Sequence, residues 1–201
     1  MGYFADDGVR TAPRRREGSR FARDPLSSPR TDRRPMSLLF AAIGAVIAAL
    51  AEVTFGLYDA VGSATPHPVL LGGVIWTIAA GIDRGLTWAF VGGLVLDSLL
   101  GRPLGVSSFA LLVAVGGAAL IAQPFPRLRL VAPIVAVPIM SLVYSGLLLG
   151  ITAAAQQTAI PSDPLALIAP GALYDGVLGL FIGPIVVTLH DRRAATERPD
   201  W

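Results

Sequence analysis

The chain has neither cysteine nor lysine among its 201 residues. Without cysteine there are no disulfides, and thiolate metal sites are excluded. The absence of lysine leaves all sixteen basic residues as arginine. No phosphate- or carboxylate-binding cluster is evident alongside it in the sequence, so it reads as compositional bias. Charge is scarce as well, at 15% of residues, and unevenly spread. Residues 1–35 hold nine of the arginines and five of the fourteen acids, a local net charge of +4. Also missing is any connection long enough for a catalytic domain: the longest expected external loop, about 153–164, has around a dozen residues.

What is present is apolar: 53% of the chain is hydrophobic, and from Met36 to about Asp191 the composition is that of a membrane protein. The arm over 1–35 is rich in Pro, Ser and Gly, and is expected to be disordered and cytoplasmic. Its arginines serve topology and attract anionic lipid, each worth about 1 kcal/mol near the surface. Nucleic acid is not an expected partner, because Arg14, Arg15 and Arg16 have no accompanying aromatic residues. A cleavable signal ending near Ala49-Leu50-Ala51 is disfavoured, since the apolar pattern continues to Tyr58.

Six segments qualify as membrane helices: about 36–58, 68–82, 85–100, 105–123, 130–153 and 165–190, followed by a short cytoplasmic tail at 192–201. The second and third form a tight hairpin over Gly81-Ile82-Asp83-Arg84-Gly85. Pro133, Pro138, Pro170 and Pro184 fall inside spans. Six crossings with both termini in the cytoplasm put fifteen of the sixteen arginines inside and leave only Arg102 outside. The expected fold is an all-α integral membrane bundle of six transmembrane helices.

Three acids interrupt the spans: Glu52, Asp97 and Asp175. Such a group at the centre of a membrane helix costs roughly 2.5–3.5 kcal/mol on insertion scales. Their neighbours four residues away on either side are Ala48 and Gly56, Gly93 and Gly101, and Gly171 and Gly179. Small residues on one stripe mark close helix contacts, so the acids are expected to face the bundle interior. At 1.5 Å per residue, Asp97 lies roughly 6 Å, Glu52 roughly 9 Å and Asp175 roughly 15 Å from the outer helix ends. Tyr144 falls at a similar level as a hydrogen-bond donor, with Arg102 near Asp97. These five residues form the candidate polar site, either as helix caps or as the lining of a cavity open to the outside. Gly93, Gly101, Gly171, Gly179 and Gly183 are expected at helix contacts, as is the pair Gly146 and Gly150.

Enzymatic readings fail on motif grounds. Tyr174-Asp175 resembles half of an intramembrane aspartyl protease site, but Asp97 lacks the Gly-x-Gly-Asp context and the order is reversed. Ser145 lacks a serine-protease context, and His67 and His190 fall on opposite sides, which disfavours a shared metal. No catalytic residue, metal or cofactor is expected.

The order of motifs carries a family resemblance over about residues 38–193. A first span is followed by Pro66-His67-Pro68 opening the next, then the 81–85 hairpin, then Gly92-Gly93-Leu94-Val95-Leu96-Asp97 with Leu104-Gly105. Tyr174-Asp175-Gly176 and a final Pro184 to Arg193 segment close it. This resembles the rod shape-determining protein MreD family. The chain departs from the family in its longer arginine-rich arm and in Asp175, where asparagine is more usual. The resemblance implies a non-enzymatic subunit of the bacterial elongation machinery in the cytoplasmic membrane. Its partners would be MreC, and with it RodA, a penicillin-binding transpeptidase and MreB, in sidewall peptidoglycan synthesis. It also implies a six-helix bundle similar to the substrate-binding S-components of ECF vitamin transporters, which is the alternative function. Ala41, Ala45 and Ala49, at four-residue spacing on the first helix, are the expected partner-docking face.

Overall fold

A computed structural model describes residues 33–58, 65–122 and 130–196. The arginine-rich arm up to residue 32, and Arg127, Arg129 and Arg198, lie outside the described residues. Six helices and no strands occur among the described residues: α1 (Arg33–Tyr58), α2 (Pro68–Ala80), α3 (Ile82–Leu99), α4 (Val106–Ala122), α5 (Ala132–Gln156) and α6 (Pro164–Thr196). Three of them, α1, α5 and α6, are long and apolar enough to cross a membrane, and α2 and α4 are shorter apolar helices. The third helix carries Asp83, Arg84 and Asp97 within its eighteen residues.

Local chemistry sets the helix ends. Pro68 opens α2 and Pro133 sits in the first turn of α5, where a missing N–H costs nothing. Pro133 is therefore a start residue rather than an internal kink; Pro138, Pro170 and Pro184 do lie inside helices. Asp163 caps α6, its carboxylate accepting the Ala166 N–H at 3.0 Å. Gln157 ends α5 at φ +52°, and the Thr158 N–H returns to the Ala153 carbonyl at 3.0 Å. The turn expected over 81–85 shrinks to one residue, Gly81 at φ +100°, whose N–H bonds the Thr77 carbonyl at 3.0 Å. Asp83 and Arg84 already belong to α3.

The second helix packs against all five others. Nine of its thirteen residues are buried, and its apolar side chains point in every direction. A helix hydrophobic all round belongs inside a bundle, which is where α2 stands. Large apolar side chains are instead exposed on the outer faces of α1 (Leu39, Phe40, Ile43, Ile47) and α6 (Leu173, Val177, Phe181, Ile185). Contiguous apolar surface on this scale is what a lipid-facing protein presents.

The alanine stripe of α1 does not face outward. Ala41, Ala45 and Ala49 are each 0% exposed, and Ala45 stands against Gly92 of α3. This corrects the expectation of a docking face: α1 and α3 pack closely through these small side chains, so no partner reaches them. A second close fit escaped the sequence reading. The Trp88 ring lies in a slot where Gly44 of α1 and Gly72 of α2 leave no room for a Cβ, with Gly73 close beside it. The Trp88 indole N–H donates to the Val69 carbonyl at 2.9 Å.

Candidate functional site

Both α2 and α4 begin inside the protein. A helix start leaves its first four N–H groups without intrahelical partners, and each buried donor left unmet costs about 1–3 kcal/mol. Val69, Leu70, Ser107 and Ser108, at these two starts, are all buried. Acids on α1, α3 and α6 supply acceptors at these starts, to Val69 and Ser107 among the buried donors. Glu52 of α1 accepts the Val69 N–H at 3.0 Å. Asp97 of α3 accepts the Gly105 N–H at 2.7 Å, and the Ser107 N–H bridges its two oxygens at 3.0 and 3.2 Å. Asp175 of α6 accepts the His67 N–H at 2.9 Å through one oxygen. Its other oxygen meets His67 Nδ1 at 2.8 Å and accepts the Ser141 hydroxyl at 2.6 Å. Carboxylates at helix N-termini also meet the positive end of the helix dipole.

The turn after α3 is shaped for this. Gly101 at φ +62° and Gly105 at φ +100° fold residues 101–105 over the end of the helix, which aims the Gly105 N–H at Asp97. The Arg102 N–H bonds the Asp97 backbone carbonyl at 3.0 Å in the same turn. The Arg102 side chain reaches Ser107 Oγ at 3.3 Å, rather than the Asp97 carboxylate.

Tyr144, 1% exposed, joins the two halves of the cluster. Its ring stands edge-on to His67, with centroids 5.5 Å apart, and its hydroxyl lies close to Ser107. Glu52, Arg102 and Asp97 all lie within its electrostatic reach. The five candidate residues thus converge on one region, joined by His67, Ser107 and Ser141, which sequence reasoning missed. Asp175, the deepest of the three by helix position, makes three contacts, two with His67 and one with Ser141, because the short α2 begins deep among the longer helices. A signal for His67 exists: a Pro-His-Pro sequence directly before an apolar run marks a helix start. Burial opposes a charge on His67, but the Asp175 carboxylate bonded to it, with Glu52 beyond, outweighs this and raises its pKa above the ordinary value.

The glycines divide into two groups. Gly93 permits backbone-close contact with Ser108 of α4, and a Cβ at Gly179 or Gly183 would press on Val137 at 3.0 Å or Pro133 at 2.6 Å of α5. Gly171 lies beside Thr65 and His67 at ordinary contact distance. Gly101 is no helix-packing residue: it is exposed, with no atom near its Cβ position, and serves the turn through its positive φ. Gly146 and Gly150 likewise meet no neighbouring helix within 4 Å.

Asp97 and Asp175 do not share a proton, since each is held by its own set of donors. His190 stands with Trp76, ring centroids 6.3 Å apart, whereas His67 stands with Asp175. Among the described residues no three His, Asp or Glu side chains are grouped to hold a metal. The carboxylates are engaged in joining helices: α1 to α2, α3 to α4, and α6 to both α2 and α5.

These features define a membrane protein, all-helical among the described residues, whose internal acids serve as helix caps. Its sequence places it more narrowly. The family model described as rod shape-determining protein MreD matches residues 33–192, most of the chain, and the chain belongs to that family. It is a membrane protein of the bacterial cell-shape system. Neither a curated protein nor a solved structure gives a significant match.

Proposed function

We propose that this chain is a non-enzymatic, multi-pass subunit of the rod elongation complex, acting as a scaffold with an MreC-like protein in sidewall peptidoglycan synthesis. Family membership over residues 33–192 carries this reading. It is supported by the polar cluster, in which every internal carboxylate receives donors from a neighbouring segment of the same chain. RodA, a penicillin-binding transpeptidase and MreB complete the proposed assembly. All six helices cross the cytoplasmic membrane, both termini are cytoplasmic, and the arginine-rich arm over 1–35 lies on anionic lipid.

The absence of cysteine makes the topology directly testable. Single cysteines at Ser19 and Asp163 should be labelled by an impermeant maleimide on opposite sides of the membrane. Labelling of both from the outside refutes the arrangement. Depletion should round rod-shaped cells, and tagged protein should co-purify with an MreC-like partner. Normal rods after complete depletion would overturn the scaffold reading.

A further inference from the structure

Beside the polar cluster, a cleft of about 240 Å³ opens between the segment before α2, the α3–α4 turn, α5 and α6. Its polar lining is Thr65, His67, Arg102, Ser145 and Thr152. None of the three internal carboxylates lines it; they are turned into helix starts instead. Arg102 is half-buried and spends one contact on Ser107, leaving most of its five donors for something else. His67 is paired with Asp175 on its Nδ1 side. The rest of the wall is apolar, including Leu149 and Ile168.

The geometry points to a binding site for a phosphate group carried on an apolar chain. The phosphate would rest on Arg102 with the chain against α5 and α6. A guanidinium fork suits phosphate and carboxylate alike. The Thr152 hydroxyl already donates to the Leu148 carbonyl at 2.6 Å, so the donors left are Thr65 and His67 before α2, Arg102 in the turn and Ser145 of α5. Coming from three separate segments, they suit an anion with three free oxygens better than one with two. The volume is below the roughly 300–1,000 Å³ of pockets that enclose a drug-sized ligand, so it holds a head group and the start of its chain. The inference does not depend on the scaffold reading, since it concerns a cleft rather than a protein partner.

The test is a titration of the purified full chain in non-ionic detergent, read by native mass spectrometry. Three probes are used: dihexanoyl phosphatidate, dihexanoylglycerol and inorganic phosphate. Phosphatidate is expected to bind about tenfold more tightly than dihexanoylglycerol, the scale of one charge-assisted contact. Arg102→Gln should remove that preference. Ser145→Leu, which fills the cleft from α5 without altering the charged groups, should weaken phosphatidate about tenfold or more by steric exclusion. Equal binding of phosphatidate and dihexanoylglycerol overturns the proposal, as does phosphatidate binding unchanged in both variants. Inorganic phosphate binding as tightly as phosphatidate, and lost in Arg102→Gln, upholds the anion site with free phosphate as occupant. Binding about tenfold weaker assigns it to a lipid.

Discussion

Replacing Asp97 by asparagine and by alanine should destabilise the protein to different degrees. Asp97 is 0% exposed and accepts N–H groups from Gly105 at 2.7 Å and Ser107 at 3.0 and 3.2 Å. One of its oxygens, Oδ2, touches both donors. An asparagine that places its carbonyl oxygen there keeps the Gly105 bond and the longer Ser107 bond, but sets its NH2 where Oδ1 accepted the Ser107 N–H at 3.0 Å, a cost of about 1–2 kcal/mol. Alanine leaves the buried Ser107 N–H unmet at about 1–3 kcal/mol and removes the bond of the half-buried Gly105 N–H at about 1 kcal/mol, hence about 2–4 kcal/mol in all. That is a large share of the roughly 5–15 kcal/mol that holds a typical domain together. Tryptophan fluorescence during denaturant titration in detergent micelles reads the difference. Asp97→Ala should unfold earlier than Asp97→Asn, with Asn between Ala and the parent. If Asn is as damaging as Ala, the negative charge matters and the capping argument fails. If Ala matches the parent, Asp97 supports nothing.

Other perturbations test neighbouring contacts. Because the pKa of His67 is raised in the folded protein, its contribution to stability is fully present below about pH 6.5 and is lost as pH rises through the folded value. Thermal midpoints should fall over that window, and Asp175→Asn should flatten the profile; a fall of equal size in Asp175→Asn assigns it elsewhere. Gly93→Val should destabilise by about 1–3 kcal/mol or more, because its Cβ position is occupied by the Ser108 backbone; full expression with parental stability would contradict the close α3–α4 approach. Ala45→Leu should lower stability through overpacking against Gly92, whereas Ile47→Ala on the exposed face of α1 should leave stability within about 0.5 kcal/mol. Equal thermal midpoints for these two variants would contradict the inward alanine stripe.

Glu52, Asp97 and Asp175 were legible as inward-facing because small residues flank each at helical spacing, and a lipid-facing acid would be costly. What each acid bonds was not legible. His67 and Asp175 are 108 residues apart, and no local pattern encodes that meeting. The alanines of α1 misled for a related reason. Small residues signal close approach but not whether the neighbour belongs to the same chain, and here it is α3. Gly101 kept the four-residue spacing from Asp97 while the helix had already ended, so its glycine serves φ rather than packing. The central position of α2 was written in its composition: thirteen residues with no polar face fit an interior better than a crossing exposed to lipid.

The start of α2 also imposes an order on assembly. Two of its caps come from opposite sides of it along the chain: Glu52 precedes Val69 by 17 residues, whereas Asp175 arrives 108 residues after His67. A ribosome adding residues from the N-terminus exposes α2 to its first cap at once and to its second only when α6 has emerged. Until then the His67 amide and imidazole lack their acceptor, and the early helices form an unfinished intermediate. Helix α6 therefore completes the start of α2, and a chain cut short before α6 leaves the His67 amide without the Asp175 carboxylate.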